Sequence, residues 1–166
     1  MVRPVLLVPD ARLKTPCTPV VDFGDALQNL IRDLEDTIAD NTGCVGAAAC
    51  QIGEMWRVAI VDTSGHRKFG AESSGRMVLI NPRIVEKHGE RVGREGCLSL
   101  PDFTANVRRA EEIVVEWQDE TGAPQRREAS GFEAVAIQHE VDHCDGILFL
   151  DRVSNLNTDV FPRKKK

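Results

Sequence analysis

The sequence predicts an α+β domain in which mostly antiparallel sheets pack around one central, metal-binding helix. The order along the chain is a series of short strand-like segments around one late helix. Apolar residues cover most of the circumference of that helix, which predicts a buried position. Ser130 followed by Glu133 indicates a capping box at its start, and Gly146 indicates its end. With 166 residues, the chain is expected to form a single domain, 1–166, with its own core.

The N-terminal part is predicted to be an extended arm followed by an amphipathic helix. Prolines between residues 9 and 19 leave little room for a helix, so the arm is expected to wrap the domain. Asp22 can cap a helix that runs to about residue 41. Its apolar stripe consists of Leu27, Leu30, Ile31, Leu34 and Ile38. The segment 43–53 is small and almost uncharged, which indicates either close approach of its backbone to another group or tight packing on this helix.

Five segments in the middle of the chain have the composition of strands. They are residues 55–62, 77–81, 84–92, 113–117 and 125–129. Alternation of Ile113, Val115 and Trp117 is typical of a strand with one buried face. The polar loop 63–76 contains no motif, and His66 within it is expected to be exposed to solvent.

The late helix carries a pattern used by metal-dependent hydrolases. His139 and His143 lie four residues apart, so both rings lie on one face of the helix and can reach one metal ion. Glu140 is rotated by about 100° from His139 and can approach a metal-activated water without being a ligand. The alternative is an ordinary helix with two partly exposed histidines.

A third protein ligand is needed, because a catalytic metal commonly has three ligands and an open position. In zinc peptidases with this motif the third ligand commonly lies downstream as Glu, His or Asp, but this chain has no Glu and no His after His143. The longer metalloprotease pattern also fails, since Phe149 stands where a histidine is required. Cys97, beside Gly96, is the better candidate because a thiolate binds borderline-soft metals strongly.

Composition excludes several classes of protein. A net charge of −5 and a pI near 5.4 argue against a nucleic-acid-binding surface, although residues 163–166 are basic. No run approaches the roughly 18 apolar residues of a membrane span, and residues 1–9 do not form a signal peptide. The five cysteines are therefore expected to be reduced thiols in a cytoplasmic protein. Residues 159–166 are expected to form a frayed basic tail.

Three separated motifs resemble those of the peptide deformylases. They are Val45–Gln51, Glu95–Ser99 and Gln138–His143, and they occur in the same order as in that family. The likeness extends to Val8–Asp10 and Leu150–Arg152, so it covers nearly the whole chain. The family fold, with sheets packed around a metal-bearing helix, agrees with the α+β prediction.

The resemblance implies removal of the formyl group from the initiator methionine of new polypeptides, with release of formate. The residues that it assigns to the metal are Cys97, His139 and His143. It assigns proton transfer to Glu140, and stabilisation of the formyl oxygen to the Gln51 side chain and the Leu98 backbone amide. Family members most often use ferrous iron and accept Zn²⁺, Ni²⁺ or Co²⁺, and a thiolate and two imidazoles suit all four.

The resemblance also implies a peptide-binding cleft. Val45 and Gly46 would form backbone hydrogen bonds with an extended N-formylmethionyl peptide. Phe132, Val135 and Ala136 would line the methionine side-chain pocket, although core packing is an equal alternative for the first two. We further expect a monomer that binds neither DNA nor a membrane, and contact with the ribosome near its exit tunnel is a further candidate interaction.

Three residues depart from the resembled pattern. Cys44 stands in place of the first glycine of its motif, Ala47 in place of a bulky aliphatic residue, and Cys144 in place of leucine. None is a predicted ligand or proton carrier, so they bear on substrate preference and packing. Two alternatives remain at this point: a zinc peptidase, and a deformylase-like protein that binds metal or peptide without turnover.

Overall fold

The computed structural model describes residues 1–163, which contain two α-helices and eight strands together with short 3-10 turns. The helices are α1 (Asp25–Asp40) and α2 (Gly131–Cys144). The strands are β1 (Gly46–Ala48), β2 (Val58–Val61), β3 (Met77–His88), β4 (Arg91–Cys97), β5 (Leu100–Arg109), β6 (Glu112–Gln118), β7 (Pro124–Ser130) and β8 (Val160–Pro162). Within this range no helix combines the length and apolar character needed to cross a membrane.

The strands form two antiparallel sheets, as the α+β prediction requires. The first has the order β1-β2-β3-β6-β7, and the second has the order β4-β5-β8. In the first sheet, Ala47 pairs with Ile60 and Val58 pairs with Ile80. In the second, the two residues Leu98 and Ser99 form the turn that connects β4 to β5. Mixed helix and antiparallel sheet is therefore the observed architecture.

Strand β3 is longer than predicted, because the segments 77–81 and 84–92 do not form two separate strands. The chain continues through Pro82 with a register shift against β6 between Ile80 and Arg83. Asn81 adopts a positive φ of 52° at this bulge, and its amide forms hydrogen bonds with the backbone N–H and C=O of Val20. Tertiary contact with the N-terminal arm therefore stabilises a bulge where the sequence indicates a break.

Helix α2 lies in the interior, and every residue from Glu133 to Cys144 is buried. Ile137 and Val141 belong to a core cluster with residues of the first sheet, including Leu79 and Val115. The amphipathic pattern of a surface helix is absent because sheet and chain segments surround α2 on several sides. This position places the polar side chains of α2 in an environment where each needs a partner.

The ends of α2 agree only partly with the prediction. Ser130 is the N-cap residue but forms no side-chain cap, so the predicted capping box is wrong. The Glu133 carboxylate instead accepts hydrogen bonds from the backbone and hydroxyl of Ser74, at 2.6 and 2.7 Å. Gly146 follows the helix with φ +75°, as expected for a stop. A Cβ atom there would lie 2.8 Å from the carbonyl oxygen of Lys14, so the site also requires close backbone approach.

Helix α1 packs its predicted apolar stripe against the β1–β2 region of the first sheet, on the side away from α2. Leu27, Leu30, Ile31 and Leu34 share a core cluster with Ile52, Val58, Ile60 and Ile80. The predicted cap is wrong, because Gly24 is the N-cap residue and Asp22 accepts a hydrogen bond from the Gly24 N–H. Helix formation here depends on burial of the stripe rather than on a capping side chain.

The N-terminal arm wraps the domain as predicted. Three backbone N–H groups of the arm donate to backbone carbonyl oxygens of the domain. They are Leu6 to Gln51 at 2.7 Å, Val8 to Ser99 at 2.9 Å, and Cys17 to Cys144 at 2.8 Å. A single 3-10 turn at Ala11–Lys14 interrupts the extended path. The arm thus connects three segments that also carry predicted site residues.

The expectation of a frayed tail from residue 159 is wrong for Val160–Pro162. These residues form β8 and pair with β5, with Ala105 opposite Val160. The Arg94 guanidinium lies over the Phe161 ring, with Cζ 3.7 Å from the ring centroid. This cation–π contact favours the β5–β8 pairing. Of the other predicted tail residues, 159 and 163 are also hydrogen-bonded through their backbone N–H groups, and 164–166 lie outside the described residues.

Cys144 provides a test of packing at the end of α2. Its side chain is fully buried in a cluster that includes Leu13, Ala48 and Leu148. We expect Cys144→Leu to overpack this cluster and to lower the free energy of unfolding by about 1–3 kcal/mol, measured by urea denaturation. A higher melting temperature with unchanged activity would contradict this expectation and indicate a cavity beside α2.

Candidate metal centre

The three predicted ligands converge in the folded chain. Cys97 is the last residue of β4, while His139 and His143 are on α2. One donor atom from each lies within 4.8 Å of the others. The Cys97 Sγ and His143 Nε2 atoms are 3.3 Å apart. The structure therefore brings one sulfur and two nitrogen donors, far apart in sequence, into one buried cluster.

The chemistry of this cluster fits a divalent metal ion. Thiolate and imidazole donors suit Fe²⁺, Co²⁺, Ni²⁺ and Zn²⁺, and three protein donors leave a position open for a reactant. Two buried atoms nearby, Glu140 Oε1 and His143 Nδ1, have no hydrogen-bond partner among residues 1–163. Burial of such atoms is costly unless another group completes the site. The donor set and the unpartnered carboxylate oxygen together are typical of a catalytic metal site rather than a closed structural one.

Glu95 orients the first histidine. Its Oε1 atom lies 2.8 Å from His139 Nδ1, so the proton on Nδ1 is donated to the carboxylate and Nε2 is left as the donor atom for a metal. Burial opposes ionisation of Glu95, but hydrogen bonds from His139 and Arg109 outweigh it and lower the pKa of Glu95 to about 2. The carboxylate therefore stays charged and holds one tautomer of His139.

Arg109 joins this carboxylate to a second one on α2. Its Nε and Nη2 atoms each lie 2.9 Å from a Glu95 oxygen, and Nη1 contacts Asp142 at 2.5 Å. Arg152 also forms two hydrogen bonds with Asp142. The guanidinium and both carboxylates are almost completely buried. Sequence reasoning missed Arg109, because β5 brings it to the site only through strand pairing.

The electrostatic setting favours the ligand form of Cys97. Burial disfavours a thiolate, but the adjacent His139 and His143 side chains outweigh it and hold the pKa of Cys97 well below its usual range. The thiolate is the form that binds metal. Cys144, by contrast, lies in an apolar cluster where burial raises the pKa of its thiol.

Glu140 lies beside the donor cluster and against strand β1. Burial raises the pKa of this carboxyl group, against the opposing effect of His139 and His143. A Cβ atom at Gly46 would lie 2.9 Å from Glu140 Oε2 and 2.7 Å from the carbonyl oxygen of Ile60. For the segment 43–53, the sequence indicates either close approach of the backbone to another group or tight packing on α1. At Gly46 the structure shows close approach.

Gln51 and Leu98 also border the donor cluster. The Ala48 N–H donates to Gln51 Oε1 at 2.9 Å, which fixes the orientation of the side-chain amide. Gln51 Nε2 donates to Ser99 Oγ at 3.0 Å and lies 3.3 Å from Cys97 Sγ. Leu98 follows Cys97 in the turn between β4 and β5 and is half-buried. The buried amide of Gln51 thus presents its donor group at the sulfur ligand.

One cavity of about 300 Å³ connects the donor cluster with the predicted substrate-binding residues. Its lining includes Val45, Gly46, Phe132, Val135 and Ala136 together with Gln51, Cys97, Leu98, His139 and Glu140. His143 is fully buried behind this surface. The structure therefore places every predicted site residue in or directly beneath one cavity.

His66 also lines this cavity, which makes the expectation of a solvent-exposed histidine wrong. Its ring lies 4.5 Å from that of Phe132, and the Phe69 ring lies 5.0 Å from Phe132. His66 Nδ1 accepts hydrogen bonds from the backbone N–H groups of Lys68 and Phe69, which fold the loop over α2. No signal in the polar loop sequence indicates this aromatic cluster.

Comparison with known proteins adds to this geometry. Residues 2–159 match the family described as "Polypeptide deformylase". The chain belongs to the peptide deformylase family. It is 39% identical over 166 residues to a peptide deformylase of Brucella suis, with 99% of this chain and 92% of the relative covered. It is 43% identical over 146 residues to peptide deformylase 1 of Bacillus cereus, with 88% of each chain covered.

Solved structures of peptide deformylases have the same fold. A structure from Legionella pneumophila superimposes with a TM-score of 0.85 at 41% identity, with 94% of this chain and 88% of that chain covered. A class I type b peptide deformylase from Acinetobacter baumannii, with Met-Ala-Ser bound, also gives a TM-score of 0.85. Its identity to this chain is 33%, with 92% of this chain and 99% of that chain covered. The agreement over nearly the whole length of both chains means that the metal-centre elements belong to a shared deformylase architecture.

The buried Arg109 network provides a direct test of what positions the donors. Arg109→Ala leaves the Glu95 and Asp142 charges without their buried partner, and we expect the free energy of unfolding to fall by about 3–5 kcal/mol. The matched control is Arg108→Ala, because Arg108 is the neighbouring residue of β5, is exposed, and within residues 1–163 forms its ion pair with Glu90 alone. Such surface pairs contribute about 0–1 kcal/mol. Equal effects of the two substitutions in urea denaturation would contradict the role assigned to the network.

Proposed function

We propose that this deformylase removes the N-formyl group from the initiator methionine of new polypeptides and releases formate, using one divalent metal ion held by Cys97, His139 and His143. The observation that carries the proposal is the buried sulfur–nitrogen–nitrogen cluster beside an unpartnered Glu140 oxygen. Ferrous iron is the ion that we propose for the cell, and the donor set also suits Zn²⁺, Ni²⁺ and Co²⁺.

Glu140 is the proposed proton carrier. When bound, the ion supplies Lewis acidity, which makes a water molecule nucleophilic near neutral pH and polarises the formyl carbonyl. The Glu140 carboxylate takes a proton from the attacking water and later delivers it to the departing methionine nitrogen. Its Oε1 atom has no competing hydrogen bond among residues 1–163, and its burial keeps the proton-transfer step away from bulk water.

Gln51 and Leu98 are the proposed hydrogen-bond donors to the formyl oxygen. The Gln51 amide is oriented by the Ala48 N–H, and we propose that Nε2 donates to the substrate oxygen in place of its contact with Cys97 Sγ. The Leu98 N–H lies in the adjoining turn, directly after the sulfur ligand. Loss of one such donor typically costs about 2.7–4 kcal/mol in the transition state.

The cavity walls suit an extended peptide that begins with methionine. Val45 and Gly46 offer backbone groups on one side, and the Gly46 carbonyl currently accepts a hydrogen bond from the Cys44 thiol at 3.1 Å. Phe132, Val135 and Ala136 are proposed to contact the methionine side chain. Their place in the lining favours this role over core packing alone. The Met-Ala-Ser ligand of the Acinetobacter structure supports the same substrate class here.

Several wider expectations accompany this activity. The proposed substrates are N-formylmethionyl peptides of the cytoplasm, where translation takes place, and the proposed state is a monomer. Contact with the ribosome near the exit tunnel is a further proposal. The net charge of −5 argues against DNA as a partner.

Formate release from formyl-Met-Ala-Ser, measured anaerobically with iron or nickel, tests the activity. We expect metal-dependent release that stops when a chelator removes the ion and returns when it is restored. Cleavage of the peptide between amino acids would instead indicate a zinc peptidase. Metal or peptide binding without either reaction would indicate a non-catalytic deformylase-like protein.

Glu140→Gln separates metal binding from proton transfer. The three ligands remain, so metal content should be unchanged, while deformylation should fall by at least about 10²–10⁴-fold because the proton carrier is lost. Metal analysis and kcat/KM on the same preparation provide the measurement. Near-normal turnover in the metal-loaded variant would exclude the proposed role.

Cys97→Ser tests the sulfur ligand. Replacement of the thiolate by a hydroxyl group should weaken metal binding, measured by competition with a chromogenic chelator. In the unmodified protein, mild peroxide should inactivate the iron form more readily than the nickel form, because the Cys97 thiolate or the iron is oxidised. Cys144→Ser is the control, since Cys144 is a buried cysteine of α2 that does not belong to the donor cluster. Full metal content and activity in Cys97→Ser would show that the ligand assignment is wrong.

A further inference from the structure

Two arginines on one wall of the catalytic cavity lack an acidic partner. Arg94 lies on β4 and Arg163 directly follows β8, and both line the cavity that contains Cys97 and Glu140. Within the described part of the chain, neither guanidinium lies within 4.0 Å of a carboxylate oxygen. Most other arginines in this range form ion pairs. The cavity therefore has a positively charged wall that no acidic residue of this range neutralises by direct contact.

Neutral groups hold Arg94 in place. Its Nε atom lies 3.3 Å from Asn106 Oδ1 and Nη1 lies 3.3 Å from Thr104 Oγ1, while its guanidinium stacks over Phe161. Asp159 is bonded to the other side of Asn106, through Asn106 Nδ2 at 3.4 Å, rather than to Arg94. These contacts fix the side chain but leave its charge uncompensated.

Arg163 lies close to the sulfur ligand. Its backbone N–H donates to the Asp102 carbonyl at 2.8 Å, which continues the β5–β8 pairing. A Cβ atom at Gly96 would lie 3.2 Å from Arg163 Cζ, so the guanidinium lies directly over the residue that precedes Cys97. The absence of a side chain at position 96 gives this charge its access to the cavity.

The two acidic residues of the cavity do not neutralise this wall. Glu95 is bound to Arg109 and His139, and Glu140 is beside β1 and the donor cluster. The apolar wall formed by Phe132, Val135 and Ala136 is on α2, whereas Arg94 is on β4 of the second sheet and Arg163 directly follows β8 of that sheet. A peptide with its methionine on the α2 wall therefore has the second sheet available to its later residues.

We infer that Arg94 and Arg163 bind a carboxylate of the substrate downstream of the formylmethionine. Guanidinium groups bind carboxylates through two parallel hydrogen bonds, and two of them at one cavity wall favour an anionic over a neutral or cationic peptide. The carboxylate can belong to an acidic side chain or to the C-terminus of a short peptide. This substrate preference rests on the proposed deformylase function.

Matched peptides distinguish the two sources of the carboxylate. The neutral reference is formyl-Met-Ala-Ser amide. The free acid of the same peptide tests a terminal carboxylate, formyl-Met-Ala-Asp amide tests an acidic side chain, and formyl-Met-Ala-Lys amide tests the opposite charge. With the metal-loaded protein at low salt, we expect at least one carboxylate peptide to exceed the neutral reference by about three- to tenfold in kcat/KM, through a lower KM. The lysine peptide should be poorer than the reference, and 0.5 M KCl should reduce both differences.

Substitutions identify the residues responsible. Arg94→Gln with Arg163→Gln should remove the preference, so that kcat/KM for the carboxylate peptides comes within about twofold of the value for the neutral amide in the same variant. Arg163→Glu should shift the preference toward the lysine peptide. Arg108→Gln is the control, because Arg108 is an exposed arginine of β5 outside this cavity. Should the double variant lose β8 pairing, seen as a lower melting temperature, Arg163→Lys retains the charge and should retain part of the preference.

The outcomes separate this inference from the proposed function. Absence of a carboxylate preference in the unmodified protein, or its persistence in a folded double variant, would overturn the inference while the neutral amide is still deformylated. Failure of the metal-loaded protein to deformylate any peptide would overturn the proposed function and the inference with it.

Discussion

The buried contact of Arg109 with Glu95 and Asp142 determines how the two halves of the metal centre meet. Glu95 lies two residues before Cys97 on β4, and Asp142 directly precedes His143 on α2. Because all three charges are removed from water, each is stable only with the others in place. A buried ion network adds little net stability compared with apolar packing. Its consequence here is geometric, since it fixes the second sheet and the central helix at the spacing that the donor atoms require.

The same network extends its effect to the chemistry of the donors. From exposed Arg152, contacts run through Asp142, Arg109 and Glu95 to His139 Nδ1. A carboxylate behind a metal-binding histidine fixes its tautomer and increases its basicity. The orientation of the His139 ring therefore depends on charged residues of four segments: α2, β4, β5 and the 3-10 turn that ends at Arg152. A histidine pair with helical spacing on α2 alone would have the right separation but neither a fixed tautomer nor a nearby thiolate.

Local spacing explains which parts of the site could be predicted. His139, Glu140 and His143 are recognisable because a helix alone sets their relative positions, and the Cys97 motif is short and continuous. His66 and Arg109 could not be found in this way, because loop folding brings His66 to the cavity and strand pairing brings Arg109 into contact with Glu95. The same distinction between local patterns and tertiary contacts applies to the fold. The fold class and the central helix follow from residue patterns. The predicted capping box is wrong because the Glu133 carboxylate binds Ser74 instead. The two segments of β3 form one strand because Asn81, between them, binds the N-terminal arm.

Strand β1 illustrates how a departure from the family pattern can leave the reaction intact. Glu140 can lie against this strand only because Gly46 has no Cβ atom, so the position of the proposed proton carrier constrains residue 46 and not residue 44. The Cys44 thiol donates to the Gly46 carbonyl, and burial raises the pKa of this thiol to about 11, so it remains a protonated, weak donor. A stronger peptide N–H donor can replace it at small cost. The Cys44 thiol therefore satisfies the Gly46 carbonyl within the chain, and it would have to release this carbonyl for the proposed backbone contact of Gly46 with a peptide.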